Sequence, residues 1–119
     1  METIPTFVKN VFTSICRSDY MRFPRAMCAQ YGSTLPHAVK LVVRNGHAIW
    51  LDFNKTEEHL EGIQRFFQLL NITGGETLLF EHTGEFQFKV HIFDMHSSEI
   101  KYPRMHGTDP DFEGMYLVV

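Results

Sequence analysis

The stretch Thr77 to Pro103, TLLFEHTGEFQFKVHIFDMHSSEIKYP, decides the fold, because it reads as a β-hairpin that the upstream chain is built to cover. Thr77-Leu78-Leu79-Phe80 is a short apolar, β-prone run, and His82-Thr83-Gly84-Glu85 supplies a turn with Gly where a positive φ is wanted. From Phe86 the chain alternates: Phe86, Phe88, Val90 and Ile92 fall on one face, and Gln87, Lys89, His91 and Phe93 on the other. Three polar side chains in the second row predict a strand buried on one face only, with the first row as a core seam.

Around that seam, 119 residues make one domain's worth of chain, able to bury roughly 65% of its unfolded surface. Hydrophobic content of 44% and charged content of 21% are ordinary for a globular protein, while eleven Phe and four Tyr favour sheet over helix. No stretch approaches eighteen apolar residues and the N-terminus lacks a basic segment followed by an apolar one, so the expectation is a soluble, intracellular chain with no membrane partner. Cys16 and Cys28 form no CxxC pair and read as small hydrophobes rather than a bridge.

The net charge of −3 hides a split. Up to Trp50 six basic residues (Lys9, Arg17, Arg22, Arg25, Lys40, Arg44) face two acidic ones, a net of +4; beyond it five face twelve, a net of −7. Such asymmetry hints at a directional surface, one face of which approaches phosphates, although uneven surface composition alone gives the same numbers.

In chain order, Ile4 to Phe12 is apolar and β-branched, an edge strand with Pro5 near its start. Thr13 to Tyr20 is polar, and Met21-Arg22-Phe23 returns to extended structure before Pro24 opens a short helix, Arg25 to Tyr31, ended by Gly32. Val39, Leu41 and Val43 alternate with Lys40, Val42 and Arg44, and Asn45-Gly46 predicts a type I′ turn. Past it Ile49, Leu51 and Phe53 share a face, with Trp50, Asp52 and Asn54 on the other; Trp50 reads as packing under a neighbouring loop outside the sheet, or else as a contact residue. Lys55 to Glu61 is charged and breaks the alternation, and Ile63, Phe66, Phe67 and Leu70 have the spacing of an amphipathic helix. No helix links successive strands in regular alternation, which excludes a parallel α/β sheet and leaves a small barrel or curled sheet with two helices.

Seven histidines raise the question of metal or catalysis. His91 and His96 lack a Cys or carboxylate at zinc-site spacing, Ser97-Ser98 beside His96 reads as turn composition, and Gly74-Gly75 carries no phosphate-loop pattern. The expectation is no enzyme, no cofactor, no metal and no small-molecule substrate.

The run Leu79-Phe80, Phe88-Lys89-Val90-His91-Ile92-Phe93-Asp94 and Glu99-Ile100-Lys101-Tyr102-Pro103 resembles the end of the plant-specific B3 DNA-binding domain, particularly the reproductive-meristem and vernalization type. Met21-Arg22-Phe23-Pro24, Leu35-Pro36 with the following hairpin, and Gly62-Ile63-Gln64-Arg65-Phe66-Phe67 resemble earlier parts of it, so that the resemblance covers about Phe7 to Pro103. It implies a mainly β fold, a seven-stranded open pseudobarrel flanked by two short α-helices, over residues 1–103, with 104–119 as a tail. It further implies sequence-specific binding of double-stranded DNA in transcriptional regulation, in a plant nucleus, alongside other transcriptional proteins. Two loop arms of the family grip the major groove. Carried over, the first falls on Arg17, Ser18, Asp19, Tyr20, Met21 and Arg22, with Arg25 behind, and the second on Asn54, Lys55 and Thr56. Arg suits forked contacts with guanine or phosphate, which matches the basic half of the charge split.

This chain departs from the family in its second arm, which is about three residues shorter and runs on into Glu57, Glu58 and Glu61; Ile49 and Ile63 also stand where the family has Trp. An acidic arm motivates the alternative of a degenerate barrel serving as a protein-interaction module with weak or no DNA binding, using Trp50 or the β-prone end Met115 to Val119.

Overall fold

A computed structural model describes residues 6–31, 35–44, 46–102 and 112–113. In chain order its elements are β1 (Thr6–Asn10), α1 (Thr13–Cys16), β2 (Tyr20–Arg22), α2 (Arg25–Tyr31), β3 (Ala38–Val42), β4 (Ala48–Asn54), β5 (His59–Glu61), α3 (Ile63–Leu69), β6 (Thr77–His82), β7 (Gln87–Phe93) and β8 (Phe112–Glu113). Seven strands form one curled half-barrel in the order β1-β6-β7-β3-β4-β5-β2, and β8 pairs with β4 beside this path. All the pairings are antiparallel except β3 with β7, which run parallel with Leu41 opposite Phe88.

The predicted Thr77 hairpin is the spine of this sheet, with Phe80 opposite Val90 and Leu78 opposite Ile92. Phe88, Val90 and Ile92 are fully buried, and so are Val39, Leu41, Ile49, Leu51 and Phe53 on the inner rows of β3 and β4. Phe23, Phe80 and Phe88 meet edge to face, and the Phe7 ring stacks on Phe80 at 4.7 Å. Burying each such ring contributes about 1.5–3 kcal/mol, which holds the curl in place. The four apolar positions predicted for the amphipathic helix, Ile63, Phe66, Phe67 and Leu70, all close one side of this core.

Four expectations need correction. The polar stretch after β1 is not wholly irregular: Ile15 and Cys16 N–H donate to the Phe12 carbonyl to make the single turn α1, so helices number three among the described residues, not two. The charged segment before α3 contains a strand, β5, because Leu60 is fully buried and its neighbours pair with β4 on one side and β2 on the other. Tertiary pairing here overrides a composition of poor strand formers. Phe86 does not join the inner row: the turn closes through Thr83 N–H to the Gln87 carbonyl, β7 starts at Gln87, and Phe86 stays 42% exposed with its ring stacked on Trp50. That stack is also the outside packing predicted for Trp50. Finally, the hairpin between β3 and β4 has a three-residue loop, since Val43 N–H reaches the His47 carbonyl and Gly46, at φ +87°, donates to Val43, a geometry that suits glycine. Asn45, Pro5, Gly32 and the end Met115 to Val119 lie outside the described residues.

Candidate nucleic-acid interface

Strand β2 organises the candidate surface. It is an edge of the half-barrel, with β1 as the other edge, and the Phe7 and Phe23 rings touch across the open seam at 5.0 Å. Its antiparallel partner β5 sets Tyr20 opposite Glu61 and Arg22 opposite His59. Met21 is therefore core, 1% exposed, while Tyr20 and Arg22 face outward.

The first arm is the segment entering β2. Arg17 is exposed at the C-terminus of α1, its N–H donating to the Thr13 carbonyl. Ser18 is half-buried, its Oγ accepting from Tyr20 N–H at 3.1 Å. Asp19 does not act as a free arm residue. Its carbonyl accepts from Gly62 and Ile63 N–H at 2.9 and 3.3 Å, and its Oδ1 from Gln64 N–H at 3.2 Å. Gly62, at φ +83°, brings no side chain to cap α3, so a residue 45 positions earlier than Gln64 supplies the acceptors.

The second arm shrinks to the turn Lys55–Glu58 between β4 and β5. Asn54 is committed to holding it: Oδ1 accepts from Thr56 and Glu57 N–H, both at 3.0 Å, and Nδ2 donates to Glu61 Oε2 at 3.2 Å. Glu58 adopts φ +59° and its carbonyl takes Phe23 N–H. Lys55, Thr56 and Glu57 are exposed. His59 Nε2 donates to the same Glu61 oxygen at 3.1 Å while its ring lies 4.7 Å from that of Tyr20, so the two arms are bridged on the outer face. The Asn54 amide first, and then His59, hold the Glu61 carboxyl below the usual carboxylate range.

Of the sequence-predicted site residues, Arg17, Tyr20, Arg22, Arg25, Lys55 and Thr56 are exposed, and Ser18 and Asn54 are half-buried and hydrogen-bonded locally. Arg22, Arg25, Lys55 and Thr56 lie toward the end of β2 where the turn docks, whereas Arg17 and Ser18 lie at its other end, beside α3. Five residues span at most about 18 Å, on the scale of a major groove about 12 Å wide. Sequence reading missed Lys9 on β1: partial burial, and then the nearby Arg22 guanidinium, lower its pKa from the ordinary lysine value. Between the ends a depression lined by Asp19, Asp52, Glu61 and Arg65 is acidic on balance. Among the described residues no group of three or more His, Cys, Asp or Glu side chains is placed to hold a metal ion, and no helix is long and apolar enough to cross a membrane.

The fold is thus an open half-barrel whose two edge strands carry cations, Lys9 on β1 and Arg22 on β2. The solved structure of the hypothetical Arabidopsis thaliana protein At1g16640.1 superposes with a TM-score of 0.64 at 19% identity, covering 77% of this chain and 92% of that one. No family model matches the chain. The B3 domain-containing transcription factor VRN1 of Arabidopsis thaliana is 31% identical over 107 residues, which are 87% of this chain and 30% of that protein. The Arabidopsis B3 domain-containing proteins At4g01580 and At1g49475 are 30% and 27% identical over 91% and 93% of this chain, and 60% and 59% of their own lengths. The chain belongs to the plant B3 domain family. It spans 30% of the length of the first of these relatives and about 60% of the other two.

Proposed function

We propose that this chain binds double-stranded DNA through the outer edge of β2, with Arg17, Ser18, Tyr20 and Arg22 of the first arm entering the major groove, Arg25 on the flanking phosphates, and Lys55 and Thr56 of the short second arm closing from the other side. Residues 1–103 form the binding domain, and the role is transcriptional regulation in the nucleus. The observation that carries this proposal is the exposure of Arg17, Arg22, Arg25 and Lys55 around the two ends of the edge strand β2, with no ion pair among the described residues to neutralise them. Unpaired cations on a rigid edge attract phosphates and release counterions. Lys9, beside Arg22, adds to the same field. Asn54 acts here through the turn it caps, because its amide is already occupied on both sides.

The test is Arg17→Ala combined with Arg22→Ala. If each side chain holds one phosphate, the salt slope becomes shallower by about 1.8 and affinity at ~0.1 M salt falls by about 60-fold, with more lost where a guanidinium reads a guanine. Unchanged affinity in a folded double variant removes the first arm as the contact surface.

A further inference from the structure

We infer that Gln64 on α3 is the positioning residue that sets Arg17 for DNA contact. The inference rests on the DNA-binding function proposed above, and gives α3 a role at a position the family resemblance leaves open. The Gln64 side-chain amide donates one hydrogen to the Ser18 carbonyl at 2.8 Å and the other to the Cys16 carbonyl. These two carbonyls flank Arg17. With both held by one nitrogen on a packed helix, the peptide planes before Arg17 and after Ser18 are fixed, and the Ser18 N–H, bonded to the Ile15 carbonyl at 3.0 Å, fixes the plane between them, which sets the direction in which the Arg17 side chain leaves the backbone. The Gln64 main-chain N–H meanwhile binds Asp19 Oδ1, and the Asp19 carbonyl caps Gly62 and Ile63. The arm from residue 16 to residue 19 is thus tied to the N-terminus of α3 at every carbonyl except that of Arg17.

The helix itself cannot shift to accommodate a wandering arm, because Ile63, Phe66 and Phe67 are sealed in the core. A loop ordered before binding loses less entropy when it docks, so the lock converts directly into affinity. Gln64 is half-buried and its amide nitrogen is used on the Cys16 and Ser18 carbonyls, so it acts through Arg17 rather than by contacting DNA itself.

The experiment uses the full chain with Gln64→Met, which keeps side-chain length and helix propensity but removes both donors. Binding to a fluorescent duplex is measured from about 50 to 200 mM salt for the unsubstituted chain, Gln64→Met, Arg17→Ala and the double variant, with amide hydrogen exchange at Arg17 and Ser18 followed in parallel. Gln64→Met is expected to speed exchange at these two amides, to make the salt slope shallower by about 0.9, and to weaken binding about 8-fold at ~0.1 M, as one lost phosphate contact does. The double variant is expected to bind no worse than Arg17→Ala alone, a non-additivity that a merely structural role does not produce. Multiplicative losses in the double variant, or unchanged exchange, overturn the lock. Failure of the unsubstituted, folded chain to bind any duplex overturns the DNA-binding role, and with it the functional half of the inference, while exchange still decides whether the lock exists.

Discussion

Replacing Glu57 by Lys is the sharpest probe of the acidic second arm. Glu57 is exposed in the turn beside Lys55 and Thr56, and among the described residues its main-chain N–H bonds Asn54 Oδ1 while its carboxylate makes no hydrogen bond or ion pair, so the substitution leaves the turn intact. Surface changes of this kind move stability by about 0.5 kcal/mol or less. If the new ammonium reaches one phosphate, the slope of log K against log salt steepens by about 0.9. Measured against a state of about 1 M salt where the ionic contribution vanishes, that is a gain of ~15-fold at 50 mM, ~8-fold at 100 mM and ~4-fold at 200 mM. Fluorescence anisotropy with a labelled duplex at these three concentrations reads both gain and slope. Glu57→Gln separates the two contributions: losing a repelling carboxylate raises affinity, but with no added contact its slope stays near that of the unsubstituted chain. An unchanged slope and affinity for Glu57→Lys, in a protein with the original thermal transition, would show that this turn does not approach the backbone at all.

Two further outcomes concern the closing strap after β7. Tyr102 accepts a hydrogen bond from Ile92 N–H at 2.9 Å and donates to Glu99 Oε2 at 2.6 Å, so Tyr102→Phe leaves a buried N–H without its partner and is expected to cost about 1–3 kcal/mol in urea unfolding; a loss below 0.5 kcal/mol contradicts the assignment. The Glu99 carboxyl is held below its ordinary value of 4.5 by the Tyr102 hydroxyl first, against burial, and then by Arg44, whose guanidinium forks onto it. A depressed carboxylate stabilises the fold above the unfolded value and loses that contribution as pH falls through the lower folded one. The stability gap between the unsubstituted chain and Glu99→Gln is therefore expected to be full above pH 4.5 and to close below it; a gap constant from pH 6 to pH 3 refutes the pairing.

The parts of the fold that were legible in the sequence are those where one residue row meets one environment. Val39 to Val43, Ile49 to Phe53 and Phe88 to Ile92 each alternate because the curled sheet buries a single face, and Ile63 to Leu70 carries a helical stripe for the same reason. Strand β5 was hidden because a three-residue strand with one apolar side chain, Leu60, has no period to detect. The parallel contact of β3 with β7 joins Lys40 to Gln87 across 47 positions, and no local pattern encodes it. At the candidate site, exposure of the arginines followed from their charge. The commitment of Asp19, Asn54 and Gln64 to backbone groups did not, since their polar side chains are equally suited to DNA and the choice is made by neighbours brought close only on folding.

The measurement that bears most directly on DNA binding is anisotropy of a labelled random duplex titrated with the unsubstituted chain from about 50 to 200 mM salt. Four phosphate contacts, from Arg17, Arg22, Arg25 and Lys55, give an expected slope of about −3.6 and an affinity loss of ~150-fold across that range. No binding at 50 mM by a folded chain, or binding indifferent to salt, contradicts the account.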